Sequence, residues 1–104
     1  MVRFTLSEEG YTVIEAADGR EALTMLSDPI HLVITDLNMP NLDGIGLIRG
    51  IRANPSCKGL PIIMLTTESQ EVRKQEGRSA GATGWIVKPF TRQQLVAVVK
   101  RLIG

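Results

Sequence analysis

Residues 31–44, HLVITDLNMPNLDG, decide the fold. An apolar run from His31 to Thr35 ends on Asp36 and breaks at once into a turn of proline, asparagine and glycine. A short apolar run closed by turn residues reads as a buried parallel strand. Two more follow, Pro61 to Leu65 (PIIML) and Gly84 to Val87 (GWIV), while Thr12 to Ala16 (TVIEA) reads as a fourth, more polar strand near a sheet edge.

Helical patterns fill the intervals. Thr91 and Gln94 form a capping box ahead of the stripe Leu95, Val98, Val99 and Leu102, which predicts a helix over Thr91 to Ile103 packed on a sheet. Asp18 with Glu21 repeats that capping logic before Ala22, Leu23, Met25 and Leu26, and Leu47, Ile48 and Ile51 give a third helical face. In Ser69 to Ala80 (SQEVRKQEGRSA), Val72 is almost the only large apolar residue and Gly77 weakens the helix, which predicts shallow docking and easy movement. Val2 and Leu6, four apart, predict an N-terminal helix over Met1 to Glu9, ended by Gly10 in the C′ role. Strand and helix alternate, so the expected class is α/β, with a mostly parallel sheet and right-handed crossovers.

The chain has 104 residues, enough for one domain over 1–104 with one site. Lys plus Arg is 12 against Asp plus Glu 11, a balance giving no electrostatic reason to expect nucleic acid or an anionic membrane as partner. Cys57 is the only cysteine, so no internal disulfide forms, which fits a reducing compartment and makes the cytoplasm the expected location. No apolar stretch approaches the roughly 18 residues of a membrane span, and the N-terminus lacks the layout of a signal peptide, so the chain reads as soluble.

Ligands of open parallel sheets bind beyond the carboxyl ends of the strands. The three apolar runs deliver Asp36, then Thr66 and Thr67, then Lys88 to that edge. A carboxylate, a hydroxyl and an ammonium together suit phosphoryl chemistry: a nucleophile, a hydrogen-bond donor and a fixed positive charge. Taken singly, Asp36 reads equally well as a turn-forming aspartate, Thr66 as an ordinary strand residue and Lys88 as a surface lysine; the shared edge favours the functional reading. Asp43 and Gly44 read as the cap and turn into the next helix, His31 and Cys57 as structural, Trp85 as a packing residue, and Glu8 and Glu9 as solvated surface.

TDLNMPNLDG, MLTTE and WIVKPF, with GYTVIEAADGREAL upstream, resemble the signature segments of response-regulator receiver domains, closest to the single-domain chemotaxis type, and the similarity covers essentially the whole chain. The resemblance implies a flavodoxin-like, doubly wound parallel sheet of strand order 2-1-3-4-5. It implies that Asp36 accepts phosphate from a histidine kinase, that Asn38 offers its backbone carbonyl to Mg²⁺, that Thr66 swings to the phosphoryl group and that Lys88 pairs with it. The resemblance further implies that Trp85 stands at the switch aromatic position, that Pro89 follows a cis peptide, and that the output is a contact with a downstream signalling protein on the face of Ser69 to Ala80, Trp85 and the last helix. Such a chain is a switch rather than an enzyme.

One departure matters. Receivers begin with a strand whose end carries an adjacent acidic pair for Mg²⁺, and this sequence shows neither; Glu8 and Glu9 precede Gly10 at a helix end and do not replace the pair. The missing strand would lie between TVIEA and HLVIT, so the expectation is an N-terminally truncated domain: either N-terminal residues are absent from this chain, or it is a fragment, or two copies close the gap as a homodimer or strand-exchanged oligomer. Mg²⁺ binding should be weak and phosphorylation impaired in this chain, though not in a full-length parent. The alternative function is a non-phosphorylated, self-associating fragment or interaction module. An aspartyl-phosphate phosphatase is disfavoured because Asn38 stands where those enzymes need an acid.

Overall fold

The structure, a computed structural model, describes residues 2–27, 29–37 and 43–104. Helix α1 (Val2–Glu8) opens the chain, followed by α2 (Gly19–Thr24), β1 (Val33–Asp36), α3 (Gly44–Ala53), β2 (Ile62–Thr66), α4 (Glu71–Ala80), β3 (Gly84–Val87) and α5 (Arg92–Ile103). The strands form a parallel sheet in the order β1-β2-β3, with Val33 opposite Ile62 and Ile63 opposite Gly84.

Side-chain alternation along β2 builds two cores. Ile62 and Met64 face one side, packing with Leu37, Leu47, Ile48 and Ile51 under α2 and α3, while Ile63 and Leu65 face the other with Leu6, Ile86, Leu95 and Val99 under α1 and α5. Every residue of β2 is buried, as a central parallel strand requires. Helices on both faces of a parallel sheet make this the doubly wound, flavodoxin-like class expected from the sequence.

The local signals act as read. Thr91 accepts from Gln94 N while Gln94 accepts from Thr91 N, closing the capping box of α5. Asp18 caps α2 through Glu21 N, and Glu21 Oε1 accepts from Ala17 N. Gly10, at φ 93°, ends α1 with Gly10 N donating to Ser7 O and Tyr11 N to Leu6 O, a Schellman arrangement that brings Tyr11 into the core beside Leu6.

Thr12 to Ala16 is a correction: the segment is irregular rather than a strand. A strand persists only where a neighbour takes its backbone groups, and among the described residues β1 is hydrogen-bonded to β2 alone. Gly77 has a second role beside weakening the helix. It is buried, and a Cβ there would come 2.1 Å from Met64 Sδ, so glycine is what lets α4 seat against β2. Val72 is 74% exposed and contributes nothing to that seat.

Candidate functional site

β1 and β2 end on Asp36 and Thr66, and Lys88 follows the last residue of β3. Parallel register puts these ends on one edge, with Asp36 opposite Leu65 and Thr66 opposite Val87, and Lys88 N donates to Thr66 O at 2.6 Å. The peptide before Pro89 is cis. Lys88 Nζ donates to Asp36 Oδ1 in an ion pair whose side chains are 41% and 43% exposed. Both groups therefore stay accessible to an incoming anion or cation.

Thr66 is completely buried, and among the described residues nothing partners its Oγ1. A buried hydroxyl without a partner is destabilising by about 1–3 kcal/mol. Thr67 lies one residue further out and, with Asp36 and Lys88, forms the polar side of an open crevice of about 630 Å³; Val2, Leu65 and Phe90 form its apolar side.

Gly44 explains how the strand end is held. A Cβ at that position would stand 2.2 Å from Asp36 O and 2.8 Å from Leu37 Cα, and Gly44 N donates to Leu37 O at 3.0 Å. The start of α3 thus lies directly against the backbone of Asp36, an approach only glycine permits. Asp43 caps α3 through Gly46 N, as expected, and also pairs at 3.0 Å with Arg73, whose Nη2 donates to Leu37 O as well. Sequence reasoning missed Arg73, because nothing local distinguishes it from the other basic residues of α4.

Trp85 sits on β3, 38% exposed, with Lys74 Nζ 4.7 Å and Arg78 Cζ 5.0 Å from its ring centroid. Two cations of α4 therefore rest on one indole. Lys74 also pairs with Glu71, whose carboxyl it holds below the ordinary range with help from Gln75. Asn38, expected to offer a carbonyl to Mg²⁺, lies outside the described residues.

Glu8 and Glu9 correct another expectation. They are not merely solvated: Arg92 of α5 pairs with both, and Lys100 reaches Glu9 at 3.3 Å. Lys100 first, then Arg92, lowers the Glu9 carboxyl below its ordinary value, and Glu8 first, then Glu9, raises Arg92. These acids clamp α1 to α5 and do not line the Asp36 crevice.

Mg²⁺ takes octahedral oxygen ligands, typically one or two carboxylates with waters and phosphate. Among the described residues no group of three His, Cys, Asp or Glu gathers, and Asp36 is the one carboxylate lining the crevice. The described residues supply one acidic ligand of such a site, not a complete set. No helix among them is long and apolar enough to cross a membrane.

Residues 1–100 match the model of the response regulator receiver domain family. The chain is 38% identical to the chemotaxis protein CheY of Pseudomonas aeruginosa, over 98% of this chain and 84% of that protein. It superposes on the solved chemotaxis protein CheY4 of Vibrio cholerae with a TM-score of 0.90 at 43% identity, covering 99% of this chain and 87% of the other. The receiver domain of the sensor histidine kinase PA1611 from Pseudomonas aeruginosa, solved with a magnesium ion coordinated in its active-site cleft, is similar at a TM-score of 0.90 and 31% identity, covering 99% and 85%.

Proposed function

The chain belongs to the response regulator receiver domain family, a CheY-like receiver of two-component signalling, and from that premise we propose that Asp36 is its phosphoacceptor. A carboxylate oxygen of Asp36 attacks the phosphorus of a phosphohistidine on a histidine kinase. The P–N bond breaks as the P–O bond forms, and the imidazole keeps the electron pair and takes up a proton. Lys88 neutralises the anion that results, and the Thr66 hydroxyl donates to a phosphoryl oxygen.

The observation that carries this reading is the buried Thr66 Oγ1, without a partner among the described residues, at the strand end beside the Asp36–Lys88 pair. A donor without a partner is one that a phosphoryl group would satisfy. As Thr66 turns inward, Trp85 follows, and the face of α4, Trp85 and α5 presents itself to a downstream signalling protein in the cytoplasm. Asp36 and the Asn38 backbone carbonyl would hold Mg²⁺, which would offset phosphoryl charge, and residues 1–104 by themselves would hold it weakly, since among the described residues Asp36 is the one carboxylate lining the crevice.

The test is labelling of the chain with acetyl phosphate across a Mg²⁺ series, beside Asp36→Asn. Slow labelling that rises with Mg²⁺ without saturating and disappears in Asp36→Asn is expected. Labelling that survives Asp36→Asn overturns the acceptor assignment, and rapid labelling at low Mg²⁺ overturns the weak metal site.

A second reading, self-association, is favoured by the sheet edge at β1, which among the described residues pairs on one side only. Exposed Phe4 and Ile14, at 65% and 52%, add apolar surface. Light scattering of residues 1–104 should then give a mass at or above that of a dimer; a monomer at all concentrations removes this reading.

A further inference from the structure

We propose that Arg73 is a positioning residue that couples α4 to the strand end carrying Asp36; the coupling rests on the phosphoacceptor reading, the clamp itself on geometry alone. Arg73 Nη2 donates to Leu37 O at 3.1 Å and to Asp43 Oδ2 at 3.0 Å. Leu37 follows Asp36 directly and is 1% exposed, and its carbonyl also accepts from Gly44 N. Asp43 caps α3. One guanidinium therefore ties α4 to both ends of the 38–42 segment.

Helix α4 depends on such ties. Gly77 is its buried residue, Val72 faces outward, and its cations Lys74 and Arg78 rest on Trp85. With so little apolar burial, polar contacts decide where its first turns sit. Both bonds leave one charged nitrogen, Nη2, so the contact is charge-assisted, and a lysine can replace the charge but holds it on a more flexible stem. Movement of Leu37 when Asp36 gains a phosphoryl group is then transmitted to α4. By reciprocity, anything that displaces α4 changes the stability of the phosphorylated state by the same factor.

The experiment compares the chain with Arg73→Gln, Arg73→Lys, Asp43→Asn and the Arg73→Gln, Asp43→Asn pair. Amide exchange at Gly44, which donates to Leu37 O, reads the clamp without any phosphoryl group. Trp85 fluorescence during acetyl phosphate titration reads the coupling. Arg73→Gln should speed Gly44 exchange and shift the half-maximal acetyl phosphate concentration about fivefold, the low end of site-to-site coupling. Arg73→Lys should recover part of both effects, and adding Asp43→Asn to Arg73→Gln should shift neither further.

Unchanged Gly44 exchange in Arg73→Gln overturns the clamp, whatever the labelling. Faster exchange with an unchanged Trp85 response in a chain that labels on Asp36 overturns the coupling. A chain that never labels on Asp36 counts against the phosphoacceptor reading and the coupling built on it, and Gly44 exchange still decides the clamp.

Discussion

Thr66→Val separates the cost of the switch from its use. Thr66 has no exposed surface, and among the described residues its Oγ1 has no partner. Valine has nearly the same shape, so the change opens no cavity and adds no clash, and β-branched residues suit a strand equally. What disappears is an unsatisfied buried hydroxyl, a penalty of about 1–3 kcal/mol. Each kcal/mol moves the melting temperature of a domain this size by about 4–8 °C, so Thr66→Val should melt higher than the parent by roughly 4 °C or more.

Thr66→Ser is the counterpart. It keeps the hydroxyl and deletes a buried methyl group, a loss of about 0.5–1.5 kcal/mol, and should melt lower. The same samples are then treated with acetyl phosphate and Mg²⁺ while Trp85 emission is followed. The parent and Thr66→Ser should respond, and Thr66→Val should not. Two results refute the reasoning: Thr66→Val melting below the parent, which would mean the hydroxyl has a partner, or Thr66→Val responding at Trp85 like the parent.

Gly44→Ala should destabilise by about 1–3 kcal/mol, the range for overpacking, because the new methyl meets the backbone of Asp36 and Leu37, which no rotamer change relieves. Gly59→Ala, with nothing within 4 Å, is the control and should be neutral or slightly stabilising in thermal melts. Glu9→Gln tests the α1–α5 clamp. The folded Glu9 carboxyl titrates below its ordinary value of 4.5, so its stabilisation is present above that pH and is lost as pH falls through the folded value. The variant should melt below the parent at neutral pH, and the two curves should converge in acid; a constant offset would mean that Lys100 and Arg92 do not act on this charge.

Much of the molecule was legible in short windows of sequence. The apolar runs ending at Asp36, near Thr66 and before Lys88 became parallel strands, because burial of a few contiguous residues is a local property. The caps at Asp18, Asp43 and Thr91 and the left-handed Gly10 followed from side chains acting on backbone three or four residues away. Strand ends of a parallel sheet share one edge, so Asp36, Thr66 and Lys88 group into one candidate site on sequence alone.

Tertiary structure decided what depends on a distant partner. Thr12 to Ala16 has strand-like composition, yet a ladder needs a neighbouring strand, and composition does not supply one. Glycine at 77 looks like a helix defect until Met64 stands against it, and Gly44 looks like a turn residue until the Asp36 carbonyl closes on it. Arg73 reaches Asp43 across 30 residues, and Arg92 reaches Glu8 across 84. Contacts at such separations are set by how helices settle on a sheet, and no periodicity in the chain encodes them.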